Sequence, residues 1–154
     1  MSRFTDPTGL TLRARTYMGI VSMRHLLIGA FCLIRPGDFQ SPSYGGVKDA
    51  LGFLAPDTAL MVYGLAFIIA GVASAVPVVT GGDGAARAGL LISVVVTGLW
   101  VGGFFAAIWD GTIAGPTGPV VWCAVLAKDL TMLREPLRNP FEPIVRRIAA
   151  ERRG

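Results

Sequence analysis

The chain has 154 residues, a length suited to one domain, and its 53% hydrophobic against 16% charged side chains, with a mean hydropathy of +0.59, exclude an ordinary soluble domain. A net charge of +4 and a pI near 9.6 raise nucleic acid as a partner, but the basic residues gather at the two termini beside apolar runs. That distribution suits an anionic membrane surface, so the expected partner is a lipid bilayer containing anionic lipids, with no nucleic acid. Cys32 and Cys123 sit singly within apolar runs, which excludes a disulfide framework and reads as two buried thiols.

In chain order, residues 1–16 read as a cytoplasmic N-terminal segment, 17–133 as a four-helix transmembrane domain and 134–154 as a cytoplasmic basic amphipathic tail. The first span runs from Tyr17 to Ile34. Arg13 and Arg15 precede it in the manner of a signal peptide, yet Arg24 interrupts the apolar stretch, no A-x-A site follows, and Phe31 before Cys32 spoils a lipoprotein-type cleavage site. The first span is therefore expected to be retained.

The connection from Arg35 to Asp57 contains "SPSYGGVKDALGFLAP", in which Ser41 before Pro42 is a helix-start signature and Val47, Leu51 and Leu54 fall on one helical face. A short helix lying on the outer interface is expected, with an irregular loop as the alternative because of the Gly45-Gly46 pair. The second and third spans, Thr58–Val78 and Gly89–Trp109, are uncharged over 21 residues each. Such a run makes about 31 Å of helix and matches a hydrocarbon core of ~30 Å. Asp57 is the expected N-cap of the second span, Pro77 falls near its end, and "TGGDGAARA" reads as a short turn that makes the two an antiparallel hairpin.

The fourth span, Thr112–Leu133, carries Lys128 and Asp129 in its second half, and Pro116 and Pro119 place the start of its regular part near Pro119. Beyond it, Phe141, Ile144, Val145, Ile148 and Ala149 repeat with helical spacing, while Arg146, Arg147 and Arg153 face away, with Arg152 beside them. This basic amphipathic helix is expected on the cytoplasmic leaflet, where each cation near anionic lipid contributes ~1 kcal/mol; docking onto a partner protein is the competing reading. Arg3, Arg13 and Arg15 at one terminus, Arg134, Arg138 and the tail arginines at the other, and Arg87 in the hairpin lie on one side of the four spans. Arg35 and Lys48 on the other side are offset by Asp38, Asp49, Asp57 and Asp110. The positive-inside rule then puts both termini in the cytoplasm of a multi-pass protein of the cytoplasmic (inner) membrane.

Two features stand out inside the bilayer. Arg24 lies 12 residues inward from Pro36, roughly 18 Å, and Asp129 lies 10 residues inward from Pro119 on an oppositely directed helix, roughly 15 Å. A charge at mid-membrane costs ~2.5–3.5 kcal/mol on insertion scales, so an ion pair between Arg24 and Asp129 is expected, with His25, the chain's one histidine, hydrogen-bonding nearby and Lys128 snorkelling toward the cytoplasm. Snorkelling of Arg24 itself and a proton or ion path are the alternatives. The second feature is a small-residue stripe, Gly98, Gly102 and Ala106, answered on the second span by Ala66, Ala70 and Ser74. It suits either packing of the hairpin or a homo-oligomer interface.

No H-E-x-x-H, G-x-S-x-G, Walker A or C-x-x-C pattern occurs, and one histidine without clustered acids leaves little from which to build a catalytic site. No enzyme activity, cofactor or metal is expected, and without an internal repeat a transporter fits poorly. The segments "LLIGAFCLIRPGDFQSPSYGG", "LAPDTALMVYGLAFIIAGV" and "TGPVVWCAVLAKDL", with the Arg87-led third span, resemble the small four-span membrane proteins of actinobacterial viruses, some of them described as holins. The resemblance spans roughly residues 20–133, and Arg24 departs from its pattern. It implies an all-α polytopic protein, without defined active residues, that self-associates and permeabilises the host membrane. An accessory or anchor subunit of a larger membrane complex is the alternative.

Overall fold

The computed structural model describes residues 9–111, 117–137 and 142–151, and these are helices, turns and connections with no strand among the described residues. Helix α1 runs Leu12–Ile34 and starts ahead of the expected Tyr17, because the Thr11 side chain caps it by accepting from the Ala14 N–H at 3.1 Å. It stops two residues before Pro36, which cannot continue a helix.

Two 3₁₀ turns, Pro36–Phe39 and Pro42–Tyr44, lead into a five-residue helix α2, Gly45–Asp49. Ser41 thus precedes a 3₁₀ turn, and Leu51 and Leu54 fall in turns beyond the helix. Nor does α2 float on an interface: Val47 is fully buried. A Cβ on Gly46 would lie 2.2 Å from the Gly103 carbonyl oxygen and 2.5 Å from the Ala107 nitrogen. Gly46 is where this segment inserts, because only glycine lets its backbone lie against that of the neighbouring helix, whereas a Cβ on Gly45 would meet nothing within 4 Å.

Helix α3 runs Pro56–Thr80, with Pro56 in its first turn and Ala55 at the cap position, so Asp57 is already inside the helix rather than capping it. It ends at Gly81, whose φ of 69° is the left-handed C-cap conformation. Helix α4 runs Asp83–Trp109, so most of the expected Gly-rich turn is helical and the connection shrinks to Gly81-Gly82. The Arg87 Nε to Asp83 Oδ2 pair at 3.3 Å supports that extra turn. Helix α5 runs Thr117–Arg134, two residues ahead of Pro119, and α6 runs Glu142–Glu151.

Helices α1, α3 and α4 are long and apolar enough to cross a membrane. The 18-residue α5 falls outside that set because it carries Lys128, Asp129 and Arg134. Neighbours run antiparallel: α1 lies along α3, α3 along α4 and α4 along α5. The α1–α3 contact is close at Gly29, where a Cβ would meet the Gly64 carbonyl oxygen at 2.7 Å, and at Gly71, where it would meet Leu26 at 2.7 Å. One half of the core gathers around Trp100, whose ring makes edge or tilted contacts with Phe39, Tyr44, Tyr63, Phe67, Phe104 and Trp122. The other half packs Met18, Leu90, Met132 and Leu137, and the Thr11 N–H donating to the Leu137 carbonyl at 2.9 Å ties the start of α1 to the end of α5.

The outward surface is apolar along the long helices: Leu27, Ile69, Leu91, Leu99 and Phe105 are each about half exposed or more. Water would not tolerate so much of it, whereas acyl chains would. Gly98 and Gly102 belong to this perimeter, since a Cβ on either meets nothing within 4 Å, and Ala106 is exposed. The α3–α4 hairpin closes elsewhere, at the buried Ala70 and Ser74, with a Cβ on Gly89 coming within 2.9 Å of the Ala73 carbonyl oxygen. Cys32 is buried, but Cys123 is only partly so, which corrects its reading as a buried thiol.

In α6, Ile144 and Ile148 are exposed and Arg147 Nε lies 3.7 Å from Glu151 Oε1. Phe141, Arg152 and Arg153 lie outside the described residues, as do the side chains of Val145, Arg146 and Ala149.

Candidate functional site: a buried polar network

Along α1, Tyr17 and Arg24 are seven residues apart and share a face; along α4, Ser93 and Thr97 are one turn apart. Antiparallel packing brings both faces to Asp129 of α5. Arg24 Nη2 donates to Asp129 Oδ2 at 2.7 Å and Nη1 reaches Oδ1 at 3.5 Å. The Tyr17 hydroxyl donates to Oδ1 at 2.5 Å and the Ser93 hydroxyl to Oδ2 at 2.8 Å. Each carboxylate oxygen therefore receives one short bond from a hydroxyl or guanidinium and a second donor besides. Asp129 is fully buried, and the Arg24 side chain keeps 21% of its surface exposed, so its guanidinium is turned into the bundle rather than snorkelled to a headgroup layer.

His25 is fully buried behind this pair. Its Nδ1 lies 2.8 Å from the Val21 carbonyl oxygen, which can only accept, so Nδ1 carries a proton. In the neutral ring Nε2 is then an acceptor, with Ser93 Oγ at 3.2 Å and Thr97 Oγ1 at 3.4 Å. Ser93 has one proton and spends it on the closer, charged Asp129; the Thr97 hydroxyl is left to serve Nε2. The 3.4 Å approach of Arg24 Nη2 to Nδ1 is a meeting of two donors and not a hydrogen bond. The other face of the imidazole packs on Phe67, with ring centroids 5.3 Å apart, and Phe67 leads directly to Trp100.

The polar chain Tyr17–Asp129–Ser93–His25–Thr97 thus approaches one end of the bundle and meets packed aromatic rings on the way to the other. Its chemistry is that of a lock: a buried carboxylate saturated by donors from two other helices, fixing the rotation of α1, α4 and α5 about their axes. Lys128 stays outside it, exposed, with Nζ 5.8 Å from the Tyr17 ring centroid. Of the residues singled out in the sequence, Arg24, His25 and Asp129 are brought together. Gly98, Gly102 and Ala106 are not part of this site; of the tail arginines Arg147 pairs with Glu151 within α6, and Arg152, Arg153 and the Arg146 side chain lie outside the described residues. Tyr17, Ser93 and Thr97 were missed. Their signal was the spacing of two hydroxyls one turn apart in an otherwise apolar span, the pattern of interhelical polar contacts in membranes.

Fold and network together define an all-helical protein with three helices fitted to a membrane and a polar layer shared among its helices. No protein-family model, curated protein or solved structure matches the chain.

Proposed function

We propose that the chain is a four-span protein of the bacterial cytoplasmic membrane, with α5 as the fourth crossing, and that it acts through contacts in the plane of the bilayer rather than through catalysis. The observation that carries this reading is the partition of polarity. Tyr17, Arg24 and Ser93 turn their donors onto the buried Asp129, while the outward surface is apolar and the Gly98, Gly102 and Ala106 face of α4 stays open. Pairing of Asp129 with Arg24 removes the main obstacle to embedding α5, and Lys128 and Arg134 are close enough to its end to snorkel. Cytoplasmic termini are supported by Arg87 donating to the Leu133 carbonyl at 3.2 Å, at the same end as the Arg13–Glu135 pair.

The specific function proposed is holin-like: copies accumulate in the host membrane, associate through the open α4 face and permeabilise it. A groove of about 300 Å³ beside Gly98 and Gly102, bounded by Leu51, Val62 and Tyr63, offers a second helix a close approach. Induced expression in bacteria is expected to give abrupt depolarisation and potassium efflux, and Gly102→Leu, whose Cβ meets nothing within 4 Å and whose side chain occupies that face, to abolish both at equal membrane content. Intact potential with tolerated expression of the native protein would overturn the proposal in favour of an accessory or anchor subunit. That second reading is supported by α6, where Ile144 and Ile148 remain exposed beside Arg147, and co-purification of a partner dependent on the tail would establish it.

A further inference from the structure

Helices α1 and α5 meet through side chains rather than along their backbones, and the seam between them is not filled. On the outward side, below the Arg24–Asp129 pair, it leaves a groove of about 430 Å³. Its floor includes Met132, 2% exposed; one wall is Ile20, 54% exposed; and Tyr17 stands between, its hydroxyl committed to Asp129. Two cations rim it. Lys128 lies over the Tyr17 ring, and Arg13 is four residues from Tyr17, about 6 Å along α1 toward its N-terminal end. Thr16 adds a hydroxyl to the same lining. Of these two cations Arg13 is already paired with Glu135, whereas Lys128 makes no ion pair among the described residues. Asp129 is turned inward and saturated by its donors, and Glu135 meets Arg13 at 3.1 Å in an exposed pair of the kind that contributes little.

An apolar trough that opens to the acyl region and ends in two cations and a hydroxyl near a helix terminus has the chemistry of a phospholipid headgroup site. We propose that the α1–α5 groove holds one anionic phospholipid, its phosphate bridged between Lys128 and Arg13 and an acyl chain laid along Ile20 over Met132. The lipid fills the seam that the helices leave open and covers the Tyr17 side of the buried network. The site rests on the embedding of α1 and α5 in a bilayer and is independent of holin-like self-association.

The test uses the full chain purified in a neutral detergent and exchanged into phosphatidylcholine vesicles with or without phosphatidylglycerol. Retained lipid is read by native mass spectrometry, and membrane integration by resistance to carbonate extraction. One retained phosphatidylglycerol is expected. Retention should fall about fivefold in Lys128→Gln and about thirtyfold when Arg13→Gln is added, the factors that follow from one and two cations beside an anionic headgroup. Ile20→Trp, which fills the trough and leaves both cations, should also displace the lipid. Inorganic phosphate should not compete, since it brings no acyl chain. Equal retention of phosphatidylcholine, or unchanged retention in the double variant, would overturn the site while leaving the membrane reading intact. A lipid-independent dimer lost in Ile20→Trp would overturn it in favour of a second copy in the groove. Extraction by carbonate would overturn the bilayer reading and the lipid site together.

Discussion

Asp129→Ala is expected to destabilise the bundle by about 3–5 kcal/mol, the largest effect of any single polar substitution in the chain, because it strips the counter-charge from a guanidinium turned into the protein interior. Three donors lose their acceptor at once: Arg24 Nη2 at 2.7 Å, the Ser93 hydroxyl at 2.8 Å and the Tyr17 hydroxyl. Unfolding from mild-detergent micelles with increasing dodecyl sulfate, followed by tryptophan fluorescence, reads the loss directly. Arg24→Met combined with Asp129→Leu should recover most of it, since a buried pair replaced by apolar side chains of similar size is often neutral. Tyr17→Phe removes one hydroxyl and should cost about 1–2 kcal/mol. If Asp129→Ala unfolds at the same dodecyl sulfate fraction as the native chain, the network does not hold the helices together. Full additivity of the Arg24 and Asp129 changes would show equally that the two do not act as a pair.

Gly46→Ala is expected to be nearly as severe, at about 2–3 kcal/mol, although it adds a single methyl group. The new Cβ would lie 2.2 Å from the Gly103 carbonyl oxygen and 2.5 Å from the Ala107 nitrogen, so α2 must leave the surface of α4. The reciprocal change Gly103→Ala puts a Cβ 2.5 Å from Val47 Cα and attacks the same contact from the other side. The two together should cost clearly less than their sum. Gly98→Ala is the control: nothing lies within 4 Å of its Cβ, and exchanging glycine for alanine in a helix interior should stabilise by up to about 1 kcal/mol. The fluorescence of Trp100, which touches Phe39 and Tyr44 of the inserted segment, should shift in the first two variants and not in the third. Stability of Gly46→Ala equal to the native chain would mean that the segment does not sit against α4.

The difference between Gly102 and Gly103 shows how far the amino-acid pattern carries and where it stops. Small residues at 98, 102 and 106 are plain in the sequence, but whether they face the hairpin partner or the lipid depends on the rotation of α4 about its axis, and one residue turns that direction by about 100°. Rotation is set by what the neighbours fill: Val47 takes the space against Gly103, and Ser74 sits against Gly89. Gly102 is left facing outward. The same ambiguity explains α2. A Gly-Gly pair reads locally as a helix breaker, and the use of Gly46 as a point of backbone contact depends on Gly103, more than fifty positions away in the chain. Arg24 and Asp129 were legible at matching depths because depth along a span is a one-dimensional count. Tyr17, Ser93 and Thr97 were not, because joining that pair requires three helices in a definite rotational phase.

By itself, the sequence determined that the chain is helical and that α1, α3 and α4 suit a membrane. Long uncharged runs leave no other way to satisfy their backbone groups in hydrocarbon. It also placed the end of the first span before Pro36 and the end of the second within two residues of Thr80, whereas α1 and α4 start five and six residues ahead of the expected Tyr17 and Gly89. The tertiary structure alone decided which face of each helix is buried, that the segment after α1 inserts rather than floats, and that one carboxylate on α5 collects donors from α1 and α4. Hydropathy is summed along a helix and survives any rotation of it, whereas a hydrogen bond or a backbone contact exists only at one rotation, chosen by all the neighbours together.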